Sequence, residues 1–177
     1  MRALADAERV RRFLDALGRR AHEEARVYLA GGATAVLYGW RESTVDVDLK
    51  VVPDTGSLLR AIPQIKEDLG INVELASPDD FIPAVPGWED RSPFIARVGL
   101  VSFHHYDPNA QALAKIERGH EQDLRDAEEM VRRGLVRPGE LLRYYEQIEA
   151  SLYRYPAINP GSFRRAVQEF TARKGGG

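Results

Sequence analysis

Asp46 and Asp48 stand one residue apart in Thr44-Val-Asp-Val-Asp-Leu-Lys-Val-Val52, a run in which polar and apolar residues alternate up to Pro53. The alternation predicts a strand over 45–52, and in a strand residues i and i+2 point the same way. Two carboxylates are thereby set side by side, while Val45, Val47 and Leu49 turn the other way into a core. Carboxylates this close repel unless a cation lies between them. Oxygen-only donors suit a hard ion, Mg2+ (or Mn2+), which keeps its remaining positions for water and phosphate oxygens. Thirteen residues upstream, Gly31-Gly32 ends the apolar run 26–30, a second predicted strand, and opens a short helical stretch, 33–38. Backbone N–H groups at a helix N-terminus attract anions, and glycine lets a phosphate come close. Glycines for the terminal phosphates and aspartates for a bridging metal are the parts of a nucleoside triphosphate site. A third acid is expected on an adjacent strand. Glu74, between Val73 and Leu75, is the candidate, either for a second metal or for taking the proton from an attacking hydroxyl.

Taken together, Gly31-Gly32, the thirteen-residue interval, Asp46-Val-Asp48 and Glu74 between apolar neighbours resemble the nucleotidyltransferase superfamily related to DNA polymerase β. Within it, Arg41, Thr44, Asp46 and Asp48 are similar to the corresponding motif of the small bacterial AbiEii-type transferases. A second block, Ala114-Lys-Ile-Glu-Arg-Gly-His-Glu-Gln-Asp-Leu-Arg-Asp126, resembles that group's Lys, Arg and paired Asp on a long helix. The resemblance covers about residues 26–133 in two blocks. It implies a mixed sheet flanked by helices and a Mg-dependent transfer of a nucleoside monophosphate from a triphosphate to a hydroxyl. The acceptor would be RNA, such as tRNA, or a protein, and the chain could be the toxin of a toxin–antitoxin pair with a cognate antitoxin as partner. It further implies that Lys115 contacts triphosphate and that Asp126 is a catalytic or Lys-orienting acid. On one continuous helix, Lys115 and Asp126 share a face with Arg118 and Gln122, whereas Asp123 falls about 80° around it. Arg41, Ser43, Thr44 and Arg118 complete the candidate phosphate ligands. Lys50 departs from the pattern, because it follows Asp48 on the same face and could neutralise the carboxylates or bind phosphate.

Each of these residues also has an ordinary structural reading. Gly-Gly before a helix is a common turn, and hydroxyls before a strand are common turn residues. Glu74 can be a solvated strand residue, Arg41 a local cap or ion pair, and Lys115 part of a charge-laced helix face with Glu117, Glu121 and Glu128. His104-His105 has no third ligand at metal spacing and reads as a surface or core pair. Trp40, Trp88, Tyr144, Tyr145, Tyr153 and Tyr155 read as packing residues, with Tyr153-Arg-Tyr155 the one weak candidate for base stacking. A catalytically inactive module of the same fold, binding nucleotide, RNA or a partner protein, is the alternative to an enzyme. Transfer of a phosphoryl group to protein is a further possibility for the same metal site.

The elements that must position these residues follow from periodicity. Leu4, Val10, Phe13, Leu14 and Leu17 predict an amphipathic helix over 3–24. A helix over 55–69 carries Pro63, which should kink or delay it. Further strands are expected at 71–76, 94–98 and 100–103, and helices at 110–133, 140–153 and 162–174. The four prolines and Gly87 of 78–93 predict an ordered, turn-rich loop. The fold class is α/β (α+β): a nucleotidyltransferase-like α/β core over 1–107, a helical C-terminal subdomain over 108–174, and a disordered tail at 175–177.

The 177 residues are 44% apolar and 29% charged, enough to fold around a core. With no cysteine, disulfides, Cys-ligated zinc, iron–sulfur clusters and thiol catalysis are excluded. The 25 Lys and Arg against 27 Asp and Glu exclude an indiscriminate polybasic binder, yet the balance is regional. Residues 43–90 hold 10 acids and 3 bases, and residues 154–174 hold 5 bases and 1 acid, a local basic face open to nucleic acid. The longest uncharged run, 27–40, has 14 residues, too few to span a bilayer, so no membrane partner and a cytoplasmic location are expected.

Overall fold

The computed structural model describes residues 3–54 and 56–175. The chain is mixed α/β and divides into two compact units, one made of residues 1–77 and 92–105, the other of 78–91 and 106–177.

In the first unit, α1 (Ala7–Arg19) precedes β1 (Ala25–Ala30), α2 (Gly32–Tyr38), β2 (Asp46–Val52), α3 (Gly56–Leu69), β3 (Asn72–Glu74), β4 (Phe94–Val98) and β5 (Val101–His105). The strands form one sheet in the order β3-β2-β1-β5-β4. β1 runs antiparallel to β2 and parallel to β5, β3 is parallel to β2, and β4 is antiparallel to β5. One face of this sheet is apolar: Val27, Leu29, Val47, Leu49, Val51, Val101 and Phe103 join Val10, Phe13, Leu14 and Leu17 of α1 and Leu58, Ile62 and Ile65 of α3 in a single core. The other face carries the polar residues of the alternating strands.

α1 is shorter than its periodicity suggests. Asp6 caps it, its carboxylate accepting from the Arg9 N–H at 2.9 Å. Ala5 instead pairs with Thr44 as an extended bridge, which leaves Leu4 outside the helix and 57% exposed. Val45 likewise falls outside β2 and is 64% exposed, so only Val47 and Leu49 of the three expected valine and leucine side chains reach the core. Pro63 lies within α3, which runs on past it. Thr55, in the predicted span of that helix, lies outside the described residues. β3 is confined to three residues, and β5 begins at Val101 because Gly99-Leu100 makes the turn from β4.

The second unit holds α4 (Pro108–Arg118), α5 (Glu121–Arg132), α6 (Pro138–Glu149) and α7 (Pro160–Gly175), with a 3-10 turn at Leu152–Arg154. The expected long helix over 110–133 is two helices. Gly119 adopts φ +71° and its N–H closes α4 on the Lys115 carbonyl at 2.9 Å, a left-handed cap that favours glycine. Gly175 belongs to α7, while Gly176 and Gly177, the rest of the expected tail, lie outside the described residues.

The segment 78–91, beginning with the 3-10 turn Pro78–Asp80, packs within this second unit. Trp88 stacks flat on Tyr106 with ring centroids 4.3 Å apart. The Tyr155 hydroxyl donates to the Asp79 carbonyl at 2.8 Å. Arg91 donates to Asp107 at 2.9 Å and lies over the Tyr144 ring at 4.5 Å. The expected ordered loop is thus a strap fastened by aromatic rings and one ion pair. Among the described residues, no helix is long and apolar enough to cross a membrane.

Candidate functional site

β1 and β2 bring the glycine turn and the aspartate pair together. Ala30 is the register partner of Asp48, and Gly31 follows directly as the cap of α2, with φ +60°. A Cβ at Gly31 would lie 2.8 Å from the Asp48 Oδ2, so the carboxylate sits against bare backbone. Asp46 and Asp48 are both half-buried and alternate with buried Val47 and Leu49. The two carboxylates therefore share the polar face of the sheet, as the alternation predicts.

Gly32 has a different reason from the expected one. It is buried, and a Cβ there would come within 2.6 Å of the Thr44 Cβ. Its missing side chain makes room for Thr44. Thr44 itself is buried, exchanges backbone hydrogen bonds with Ala5, and donates its hydroxyl to the Asp46 carbonyl at 3.0 Å. That hydroxyl positions the start of β2. Arg41 and Ser43 are half-buried in the connection from α2 to β2, and the Arg41 N–H donates to the Ala35 carbonyl. Lys50 is half-buried and pairs in register with Tyr28.

Glu74 lies on the strand next to the aspartates, in register with Asp48, and is exposed. Asn72, its neighbour two residues back and the partner of Asp46, donates its amide to the Asp46 carboxylate. Asn72 was not a sequence candidate, although its i, i+2 relation to Glu74 is the signal that marks it. Among the described residues no group of three or more His, Asp or Glu side chains is gathered to hold a metal. The donor chemistry of the aspartate pair still fits a hard divalent ion that takes most of its ligands from water and phosphate.

Lys115, Arg118 and Asp126 lie in the second unit. The break at Gly119 overturns the expected single-helix face, yet the two helices turn the same residues toward one another. The Lys115 ammonium donates to Asp126 at 3.0 Å, and Gln122 donates to the other oxygen of that carboxylate, also at 3.0 Å. Asp123, expected to point away, is buried and joins the cluster, 3.7 Å from Lys115 and 3.3 Å from the Arg118 Nε. Asp126, 1% exposed, is a Lys-orienting acid in this arrangement. Buried Lys115 and half-exposed Arg118 face the buried carboxylates of Asp126 and Asp123, which pairs each buried charge with an opposite one.

His105 caps the packing behind α2. Its ring is 6% exposed, stacks on Tyr38 at 4.4 Å, and meets the Thr34 hydroxyl at 3.0 Å through Nδ1. Burial, reinforced by the neighbouring His104, pulls its pKa down to about 4. His104 stacks on Tyr28 at 5.4 Å. The histidine pair is a packing feature of the first unit.

Compared with models of known protein families, with curated proteins and with solved structures, the chain matches none.

Proposed function

We infer that the chain is a metal-dependent nucleotidyltransferase, moving a nucleoside monophosphate from a nucleoside triphosphate to a hydroxyl acceptor. The observation that carries this reading is the contact of the Asp48 carboxylate with the Gly31 turn, beside Asp46 on the same half-buried face. Anion-accepting backbone and cation-accepting carboxylates within one contact suit a phosphate chain with its metal. Asp46 and Asp48 would hold Mg2+, which when bound supplies charge neutralisation on the phosphates. Asn72 fixes the Asp46 carboxylate, and Thr44 fixes the backbone that presents it. The acceptor oxygen bonds to the α-phosphorus as the α–β bridging P–O bond breaks, and pyrophosphate leaves with the electron pair. Glu74, exposed next to Asp48, is the group to receive the hydroxyl proton.

The test is incubation with each triphosphate labelled at the α-phosphate, Mg2+, and total RNA or lysate. Label should enter RNA or protein with the native chain and should be lost with Asp46→Asn/Asp48→Asn. Transfer that survives in the double variant would remove the aspartates from the site. The second reading is a module of this fold that binds nucleotide without turnover. Nucleotide binding that persists in EDTA, with no label transferred, would select it.

A further inference from the structure

The polar face of the first unit's sheet is ordered by charge along the strands. In register, Val52, Arg26, Ser102 and Arg97 form one cross-strand row. Lys50, Tyr28, His104 and Phe94 form the next, and Ala30, Asp48 and Glu74 the one after. Residues directly opposite share a face, so the cationic and carboxylate rows lie on one face of the sheet, with half-buried Lys50 between them on β2 and Tyr28, 1% exposed, between them on β1. The cationic row opens on a cavity of about 400 Å3 that includes Arg26, Arg97, Ser102, Val52 and Glu24. A single water takes about 30 Å3, so the space is sized for a group larger than an ion. Glu24 meets Arg97 at 3.5 Å, but both side chains are more than half exposed, and a pair of that kind is readily displaced by a doubly charged anion. In the neighbouring row, Phe94 is 63% exposed and meets His104 edge-on at 5.6 Å, a ring free to take a stacked base.

We propose that this cavity seats a backbone phosphate of a single-stranded nucleic acid, with Arg26 and Arg97 as its ligands, Ser102 as a hydroxyl donor and Phe94 stacking an adjacent base. The proposal rests on the nucleotidyltransferase reading and names its acceptor. Val52 lies four residue steps beyond Asp48 along β2, about 14 Å at the rise of an antiparallel strand. A strand held at the cationic end would reach the aspartate pair along β2, past half-buried Lys50, because Tyr28 on β1 is buried. Guanidinium forks match phosphate geometry, and an exposed ring beside them distinguishes a nucleic acid from a plain polyanion.

The test uses the full chain and a fluorescein-labelled single-stranded RNA decamer, with affinity measured by anisotropy across a salt series. Arg26→Gln/Arg97→Gln should weaken binding by about tenfold or more and lower the salt slope by about 1.4, the loss expected for two single-strand phosphate contacts. Phe94→Ala should weaken RNA binding while leaving the salt slope and competition by inorganic phosphate unchanged. Glu24→Gln, which removes the competing carboxylate, should tighten binding several-fold, an effect a merely structural role would not produce. An unchanged salt slope in the arginine variant, or poly-glutamate competing as well as RNA, would overturn the proposal. Failure here is separable from failure of the transferase reading. Label transfer to RNA that ignores Arg26 and Arg97 rejects this site alone. RNA binding that depends on them without any transfer rejects the activity and leaves the site standing.

Discussion

His105 couples the packing of β5 and α2 to pH. Thr34 donates its hydroxyl to the Leu29 carbonyl at 3.3 Å, so its lone pair faces the ring nitrogen of His105 at 3.0 Å. A neutral imidazole fits this arrangement, and burial lowers the pKa from 6.5 to about 4. A group whose folded pKa is depressed lends its full stability above the unfolded value and loses it as pH falls toward the folded one. The window is therefore pH 6.5 down to 4, and the loss is about 3 kcal/mol at its acid end. Urea denaturation of the native chain and of His105→Gln at pH 7, 5.5 and 4.5 reads this directly. The stability gap between the two should narrow as pH falls, whereas a constant gap would mean that His105 is not the titrating group. Arg91 makes a different demand. Asp107 is fully buried, and burial pushes its carboxyl up while the Arg91 and Asn109 hydrogen bonds pull it back only in part. Arg91→Ala strands that carboxylate and should cost about 3–5 kcal/mol by denaturant unfolding at pH 7. A loss below about 1 kcal/mol would show that water enters to replace the guanidinium.

At the scale of elements, the legible parts are those where one strong pattern has no competitor. β2 is readable because polar and apolar residues alternate from Asp46 to Val51, and its aspartates fall on one face as that alternation requires. The neighbourhood of β3 is only half readable, since three residues carry too little periodicity to set a register. The pairing of Asn72 with Asp46 appears only when the strands are laid side by side. The Lys115–Asp126 pair was legible as a pair but for the wrong reason. Residues 110–133 are helical in pattern on both sides of Gly119, and a lone glycine in a polar helical stretch does not announce a left-handed cap. The strap at 78–91 was legible only as ordered, because its partners, Tyr106, Asp107, Tyr144 and Tyr155, are distant in sequence. The cap itself can be tested. Gly119→Ala forces a Cβ into φ +71° and should cost about 1–2 kcal/mol, with Gly119→Asn losing less because Asn tolerates that region. Equal losses for Ala and Asn, measured by urea unfolding, would point to crowding instead of backbone strain.

For the whole molecule, the near-zero net charge conceals how the cations are used. Two of the five cations of the basic end meet acids on the fold: Arg164 pairs with Glu149 at 2.9 Å and Glu146 at 3.5 Å, and Lys174 meets Glu128 at 3.4 Å. Tyr155 is held by its bond to the strap, which removes it from any stacking role, while Tyr153 remains 75% exposed beside Arg154. The cations of the polar sheet face stand beside a cavity and the exposed Phe94 ring. The division into two units bears on how ligand binding reads out as stability. A chain of two units need not unfold in one step, and a ligand held by Asp46 and Asp48 raises the transition of the unit that carries them. A triphosphate analogue with a methylene between the α- and β-phosphorus, added with Mg2+ at 100 times its Kd, contributes about 2.7 kcal/mol. Scanning calorimetry should then show that transition moving up by about 5 to 20 °C, the smaller value if all 177 residues melt together and the larger if the first unit melts alone. Both EDTA and Asp46→Asn/Asp48→Asn should abolish the shift, and the double variant without ligand should melt no lower than the native chain, because it loses a like-charge contact. A shift that persists in EDTA would place the nucleotide away from the carboxylate pair, and the sheet face would then be a binding surface without metal chemistry.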